Sequence, residues 1–419
     1  MLQSGEPEIM TLREDADFII SESIRAVLPD EAVRKALAGK DFGSGRVLLL
    51  SIGKAGWKMA ETAAEILEGR ISDGLVITKY GHVKRPIPGI RCLEAGHPVP
   101  DGNSFLATQQ AMKMVQGLAE EDTVIFLISG GGSALFEKPL VPPEELADLT
   151  RQLLASGADI REMNTIRKRL SAVKGGRFAM LCRPAKIFCI VLSDIVGDPP
   201  DMIASGPASP DSSTSEEAEE IVRKYGLKLS AEAKELLKQE TPKSLDHVET
   251  IISGSVRELC RAGAEACRKR GYEPVILTDC MTCEAKEAGS FLASAAKTHQ
   301  DVTVSTAFLA GGETVVHLNA GRNGRGGRNQ ELALSAAEGI AGCRDTAVFS
   351  VGSDGTDGPT NAAGGYADGE TWKKIPRGEI ASCLARHDSF GVLEKTGGLI
   401  VTGPTGTNVN DLAAVLIRR

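Results

Sequence analysis

Apolar positions recur along the chain in two rhythms. Between Arg13 and Leu28, Ala16, Ile19, Ile20, Ile24, Val27 and Leu28 fall on one stripe at helical spacing, and Pro29-Asp30 stop the pattern, which predicts an opening helix. The run VLLLSIG, Val47 to Gly53, is apolar throughout and passes straight into KAGWKMAETAAEILEG, whose apolar positions return every three or four residues. Strand, tight glycine turn and helix are predicted in succession. Further apolar runs begin at Gly74 (GLVITKY), Thr123 (TVIFLIS) and Lys186 (KIFCIVLSD), with helical stretches over Ser104 to Leu118 and Glu144 to Leu154 between them. Strands apolar on both faces that alternate with helices suit a parallel sheet covered on each side, the doubly wound arrangement, where ligands gather at the carboxyl ends of the strands.

From Ala208 to Val248 the chain turns polar and charged, with SPDSSTSEEAEE followed by KLSAEAKELLKQETPKSLDH, and this stretch reads as terminal helices plus a linker. A second alternating series follows. Its strands are predicted near Glu249, Pro274, Val302, Thr314, Ala347 and Leu399, and its helices over Ser255 to Arg270, Ala285 to Thr298 and Asn329 to Ile340. The expectation is two α/β domains, 1–245 and 246–419, and a chain of 419 residues exceeds the size at which single cores stop growing.

The net charge of −8 removes broad nucleic-acid or anionic-membrane binding, since such partners repel an acidic surface, so any anionic substrate must find a local basic site. The opening MLQSGEPEIMTLRED lacks an apolar core of signal-peptide length, and no uninterrupted apolar run approaches the roughly 18 residues that span a bilayer. A cytoplasmic protein is expected. Nine scattered cysteines, an odd number, suit reduced thiols, and the lone Cys280-x-x-Cys283 reads as two small buried thiols.

The 46 glycines cluster at strand ends. Glycine admits positive φ and lets N–H groups approach an anion, so strand–glycine–helix turns make phosphate cradles. The strongest is Ser129-Gly130-Gly131-Gly132-Ser133, directly after TVIFLI, whose amides and two hydroxyls are predicted to bind an oxyanion. Lys54 follows Gly53 at the start of a helix, where the dipole disfavours a cation, so it calls for an acidic partner or a phosphate. In NTIRKRLSAVKGGR, Arg167, Lys168, Arg169, Lys174 and Arg177 read mostly as solvated charges around a helix ending at Lys174-Gly175-Gly176, with Arg167 or Lys174 able to supply a basic site. GRNGRGGRNQELAL sets Arg322, Arg325 and Arg328 on a glycine loop running into a helix, and Arg328 could grip a carboxylate or phosphate with two parallel hydrogen bonds.

Acidic residues at strand ends complete the set: Asp194 and Asp198 in LSDIVGD, Glu313 in GGETVV, and Asp354 and Asp357 in GSDGTDGPT. Aspartate beside glycine is commonly a turn former, but carboxylates are also what Mg²⁺ and a hydroxyl acceptor require. No G-x-x-x-x-G-K-[ST], no clean G-x-G-x-x-G after a strand and no G-x-S-x-G occurs. His82, His97, His247, His299, His317 and His387 show no H-x-x-x-H spacing, which argues against a zinc hydrolase and leaves most of them without a special role.

Ten ordered segments together resemble the glycerate 2-kinase family whose C-terminal part is called MOFRL: GKAGWKMA, TKYGH, EAGHPVPD, LISGGGSALFE, NTIRKRLSAVKGGR, LSDIVGDPPDMIASGPASPD, GGETVVH, GRGGRNQELAL, GSDGTDGPTNAAGG and TGPTGTNVNDL. The resemblance implies two Rossmann-like α/β/α domains with mostly parallel sheets and an interdomain active-site cleft. It implies ATP- and Mg²⁺-dependent phosphorylation of D-glycerate, usually to 2-phosphoglycerate. It also implies a catalytic lysine and arginine, which match Lys54 and Arg328.

The chemistry of the remaining residues completes the expected site. Lys54 and the turn from Ser129 to Ser133 hold phosphate oxygens, Asp194 or Asp198 binds Mg²⁺, and Arg328, with Arg325 nearby, takes the glycerate carboxylate or the moving phosphoryl group. Asp354 or Asp357 orients the attacking hydroxyl. Rival readings are 3-kinase regiochemistry, a hydroxypyruvate reductase, which lacks its dinucleotide fingerprint, and a non-catalytic sensor of phosphorylated acids. A monomer or a homodimer is compatible with the sequence.

Overall fold

The computed structural model describes residues 10–318, 324–376 and 378–419. They form two compact units, Pro29–Ser253 and a discontinuous one that joins the segment before Pro29 to Gly254–Arg419.

In the Pro29–Ser253 unit, β1 (Val47–Ile52), β2 (Ile71–Lys79), β3 (Ile90–Ala95), β4 (Thr123–Ile128), β5 (Lys186–Leu192) and β6 (Val248–Gly254) lie in the order β3-β2-β1-β4-β5-β6. The pairs β1–β2, β1–β4, β2–β3 and β4–β5 are parallel. Every residue of β1 and β4 is buried, because alternate side chains enter two separate cores. Leu48, Leu50, Phe126 and Ile128 face one, and Val47, Leu49, Ile125 and Leu127 the other. This is the parallel sheet that the doubly apolar runs predict.

The charged stretch after Ala208 is not a linker. Its helices Ser215–Tyr225 and Ala231–Leu237 bury Ile221 and Leu237 with Leu149 and Leu153 of helix Pro143–Ala155 and Ile166 of helix Ile160–Arg169. The next strand, β6, closes the first sheet, so the compact units divide at 253/254 where the sequence suggests 245/246.

The other unit holds β7 (Glu273–Met281), β8 (Thr306–Gly312), β9 (Thr346–Gly352), β10 (Gly364–Asp368), β11 (Leu399–Ile400) and β12 (Asp411–Ile417), ordered β11-β10-β9-β12-β8-β7. This sheet is mixed. β7 and β8 are parallel, but β12 runs antiparallel between β8 and β9, and β10 is antiparallel to both β9 and β11. No strand forms at Val302, and at Thr314 the backbone is irregular beyond β8.

The opening helix, Leu12–Ala26, also belongs here. Ile19, Ile20 and Ile24 pack among Leu259, Cys267, Leu309, Phe349 and Leu416, and buried Asp15 accepts from Tyr272 Oη at 2.7 Å. An amphipathic stripe shows that a core is covered without showing which core, so local periodicity assigned this helix to its neighbours in sequence.

All nine cysteines are free thiols. Cys280 and Cys283 are exposed where burial was expected, because β7 is an edge strand. Among the described residues no helix is long and apolar enough to cross a membrane.

Candidate active site

At the carboxyl edge of the first sheet, the turn after β1 and the turn after β4 are laced together. Lys54 N–H donates to Gly130 O at 2.8 Å, and Ser129 Oγ donates to Ile52 O at 3.1 Å while accepting from Ala55 N–H at 3.1 Å. The backbone turns back through Gly131 at φ 87°, a region that favours glycine. A Cβ there would lie 2.9 Å from His97 Cδ2 and 3.3 Å from Lys54 Cγ, and one on Gly130 would lie 2.3 Å from Asp194 Oδ2. Three elements therefore bring Lys54, His97 and Asp194 against consecutive glycines. The amides of Gly131, Gly132 and Ser133 have no acceptor among the described residues, and the Lys54 ammonium has no carboxylate partner among them.

The basic cluster from Arg167 to Arg177 lies largely inside the protein, where solvated charges were expected. Helix Ile160–Arg169 ends before Leu170, and Lys174-Gly175-Gly176 forms a turn leading to helix Arg177–Leu181. Lys168 pairs with Asp201 and Asp211, both at 3.0 Å, and fully buried Arg169 donates to Ser213 O at 2.9 Å. Lys174 is completely buried. Its Nζ lies 2.9 Å from Glu137 Oε2 and donates to Ser133 O at 2.6 Å and Phe136 O at 3.1 Å. Burial pulls its pKa down to about 8 against the support of the Glu137 charge. Lys174 thus holds the glycine turn from beneath and supplies no ligand contact. Half-buried Arg167, with Nη2 3.4 Å from Ser133 O and an unpartnered Nε, remains the basic group beside the turn.

The other cluster is built on helix Arg328–Gly339. Arg328 donates through Nη1 to Glu313 Oε1 at 2.9 Å and through Nη2 to Asp411 Oδ1 at 3.1 Å, while Nε sits 2.6 Å from Asp411 Oδ2. Asp411 is buried at the head of β12, and burial pushes its carboxyl up to about 6, partly offset by Arg328. Burial works against the Arg328 charge, but Asp411 and Glu313 together outweigh it and raise its already high pKa further.

Asp357 is committed to structure. Its oxygens accept from Asn329 N–H at 3.1 Å, Gln330 N–H at 2.9 Å and Gln330 Nε2 at 3.0 Å, capping the helix that carries Arg328. Asn329 Nδ2 lies 3.4 Å from Oδ1 as a further donor, so most of the carboxylate's accepting capacity goes to the cap, although Asp357 lines the same hollow as Asp354 and Arg328. Asp357→Ala is expected to cost ~1–3 kcal/mol, because two backbone N–H donors and the Gln330 amide lose their acceptor in a buried setting. Chemical denaturation checks this, and an unchanged midpoint would contradict the capping role.

Asp354 is half-buried, accepts from Thr356 N–H at 2.9 Å, and lines a hollow of about 600 Å³ together with Arg328, Thr314 and His387. Exposed Arg325 does not line it; its guanidinium stacks 3.8 Å from the Phe390 ring centroid. Arg322 lies outside the described residues. A larger hollow of about 990 Å³ sits at the amino ends of β4, β5 and β6, lined by Thr123, Lys186 and Val248, with none of the predicted site residues in it.

Sequence reasoning missed His97, Glu137 and Asp411. The first lies within EAGHPVPD and carries no spacing signal. The other two are acids embedded in apolar stretches, ALFEKPL and NDLAAVLI, where a charge calls for a buried partner.

Among the described residues no three His, Cys, Asp or Glu side chains gather as a metal cage. Mg²⁺ commonly takes only one or two carboxylates and fills its shell with phosphate oxygens and water. Asp194 sits against the glycine turn and Asp198 keeps a buried, unpartnered Oδ1, so either could supply one such carboxylate.

Residues 15–238 match the family described as a domain of unknown function, DUF4147, and residues 306–411 match the MOFRL family. D-glycerate 2-kinase of Thermotoga maritima is 49% identical over 98% of this chain and 99% of its own. Glycerate 2-kinase of Pyrococcus horikoshii is 38% identical over 97% of this chain and 98% of its own. The crystal structure of a Thermotoga maritima glycerate kinase superposes with a TM-score of 0.92 at 48% identity, covering 97% of this chain and 99% of that one. Full-length identity at this level, with both family models matched in order, places the chain in the MOFRL-containing glycerate 2-kinase family.

Proposed function

We propose that the protein transfers the γ-phosphoryl group of ATP to the 2-hydroxyl of D-glycerate, giving 2-phosphoglycerate and ADP. The observation that carries this reading is the Lys54 ammonium, without a carboxylate partner among the described residues, beside three glycine-turn amides that have no acceptor among them. Cations and N–H donors so arranged suit the charge on a phosphoryl group in transfer.

In this reading the hydroxyl oxygen attacks the γ-phosphorus, the bond to the ADP oxygen breaks, and the hydroxyl proton is released. Lys54 and the amides of Gly131, Gly132 and Ser133 neutralise the oxygens of the moving group. Ser129 acts one step back, since its hydroxyl stitches the two turns together. Arg328 holds the glycerate carboxylate with the N–H groups that Glu313 and Asp411 leave over; Glu313, the more exposed of its two anchors, is the one able to yield. Asp354, the less committed of the two aspartates that line the hollow, orients the hydroxyl. Asp194 or Asp198 would hold Mg²⁺, which when bound supplies charge neutralisation across the β- and γ-phosphates. Nine free thiols support a cytoplasmic setting.

Purified protein given ATP, Mg²⁺ and D-glycerate is expected to feed enolase without added phosphoglycerate mutase. Signal only with the mutase would reassign the product to 3-phosphoglycerate. ADP-free ligand binding would instead favour a sensor, and NADH consumption with hydroxypyruvate a reductase.

A further inference from the structure

Six histidines occur in the chain, and five of them have partners. His82 Nδ1 lies 2.9 Å from Lys54 O, His247 Nε2 lies 2.8 Å from Ala179 O, His317 and His387 pair with Glu284 and Glu331, and His299 packs on Phe308. His97 and His299 have no side-chain hydrogen-bond or ion-pair partner among the described residues, and of these two only His97 lies against the glycine turn.

Its position is not that of an idle surface ring. β3, which precedes it, is the outermost strand on its side of the sheet, three places from β4, whose following turn holds Gly131. The chain after β3 nevertheless brings the Cδ2–Nε2 edge of the imidazole to Gly131. A Cβ added there would be 2.9 Å from Cδ2 and 3.1 Å from Nε2, with Lys54 Cγ 3.3 Å away on the same glycine. The residue is half-buried, so the ring edge is partly dried without being sealed.

We propose that His97 is a further substrate-contacting residue, whose Nε2–H donates a hydrogen bond to an oxygen of the phosphoryl group held by Lys54 and the glycine turn. This inference rests on the kinase reading above and adds a contact to it. The facing charges agree with the role. Burial lowers the His97 pKa, and Lys54, Lys79 and His82 lower it further, which favours the uncharged ring with its one N–H at neutral pH. A neutral donor beside Lys54 binds a phosphate oxygen without the repulsion that a second fixed cation would bring. Asp194, at the neighbouring glycine, is the carboxylate on this side of the turn.

The test uses the full-length protein. His97→Leu keeps the bulk and removes the donor, and is expected to lower kcat with glycerate by roughly ten- to a hundredfold, the range for a hydrogen bond to a charged group, with the KM for glycerate little changed. His97→Gln, which restores an N–H, is expected to recover a substantial part. A Leu variant with normal kcat would overturn the inference, as would a Gln variant that folds normally and stays as slow as Leu.

Should the Leu variant not fold, selective ¹⁵N-histidine labelling of the wild type decides. The His97 Nε2 resonance is expected to move on addition of ATP and to stay in place with glycerate alone, and no movement with ATP would refute the contact. Absence of glycerate phosphorylation by the wild type would sink the kinase reading itself, a result separate from any effect at His97.

Discussion

Lys54→Ala is expected to lower kcat by roughly a hundredfold or more while leaving the thermal midpoint nearly unchanged. Lys54 makes its structural contribution through its backbone, whose N–H donates to Gly130 O and whose carbonyl lies against His82 Nδ1, and both survive the substitution. No buried carboxylate is left stranded by removing the ammonium, so the fold has little to lose. What disappears is a cation aimed at the space beside Gly131, and a cation acting on charge that develops during transfer shows in kcat more than in KM. Steady-state kinetics with a melting curve on the same preparation test both halves of this expectation. Near-normal turnover would remove Lys54 from the chemistry.

Arg328→Ala is expected to lose at least as much turnover, with a different stability signature. Here the substitution strands Asp411, which is buried and paired at 2.6 Å. Because its carboxyl already titrates near 6, it escapes an unpaired charge by taking up a proton, at about 1.4 kcal/mol for each further unit of upward shift. The variant should therefore fold with a lowered midpoint.

The same pair sets a pH limb in the wild type. As pH falls through about 6, Asp411 becomes neutral, Arg328 loses one of its two anchors, and turnover declines. Above that pH the carboxylate is ionised and the limb is flat. Asp411→Asn should be slower at pH 7.5 and lack this inflection, and a wild-type profile level from pH 7.5 to 5 would rule out the coupling.

The features legible in the sequence are those written in short range. Val47–Gly53 running into a helix, and TVIFLI running into three glycines, gave away two adjoining turns because a parallel sheet forces consecutive strand ends to one edge. At that edge the structure sets Lys54 N–H on Gly130 O. The same logic did not reveal that Lys174 is a buried strut, because KGG after a basic run has the look of a solvated helix stop. Only Glu137, far along the chain, makes burial of that charge tolerable. Asp357 misled for a related reason. A D-G turn was visible, but its two acceptor oxygens go to a helix that begins at Arg328, before it in the sequence. The antiparallel course of β12 was hidden as well, since DLAAVLI is equally apolar whichever way it runs.

Helix Leu12–Ala26 and its core are separated by the whole of Pro29–Ser253. During synthesis its apolar stripe emerges before the intervening unit, while Val256 through Leu416, the walls that enclose it, emerge after that unit. Ile19, Ile20 and Ile24 must wait uncovered while the intervening unit folds, a window in which a nascent chain is open to misassociation. Severing the gene at 253/254 would yield a downstream fragment lacking one wall of its own interior, so this protein is poorly suited to expression in halves.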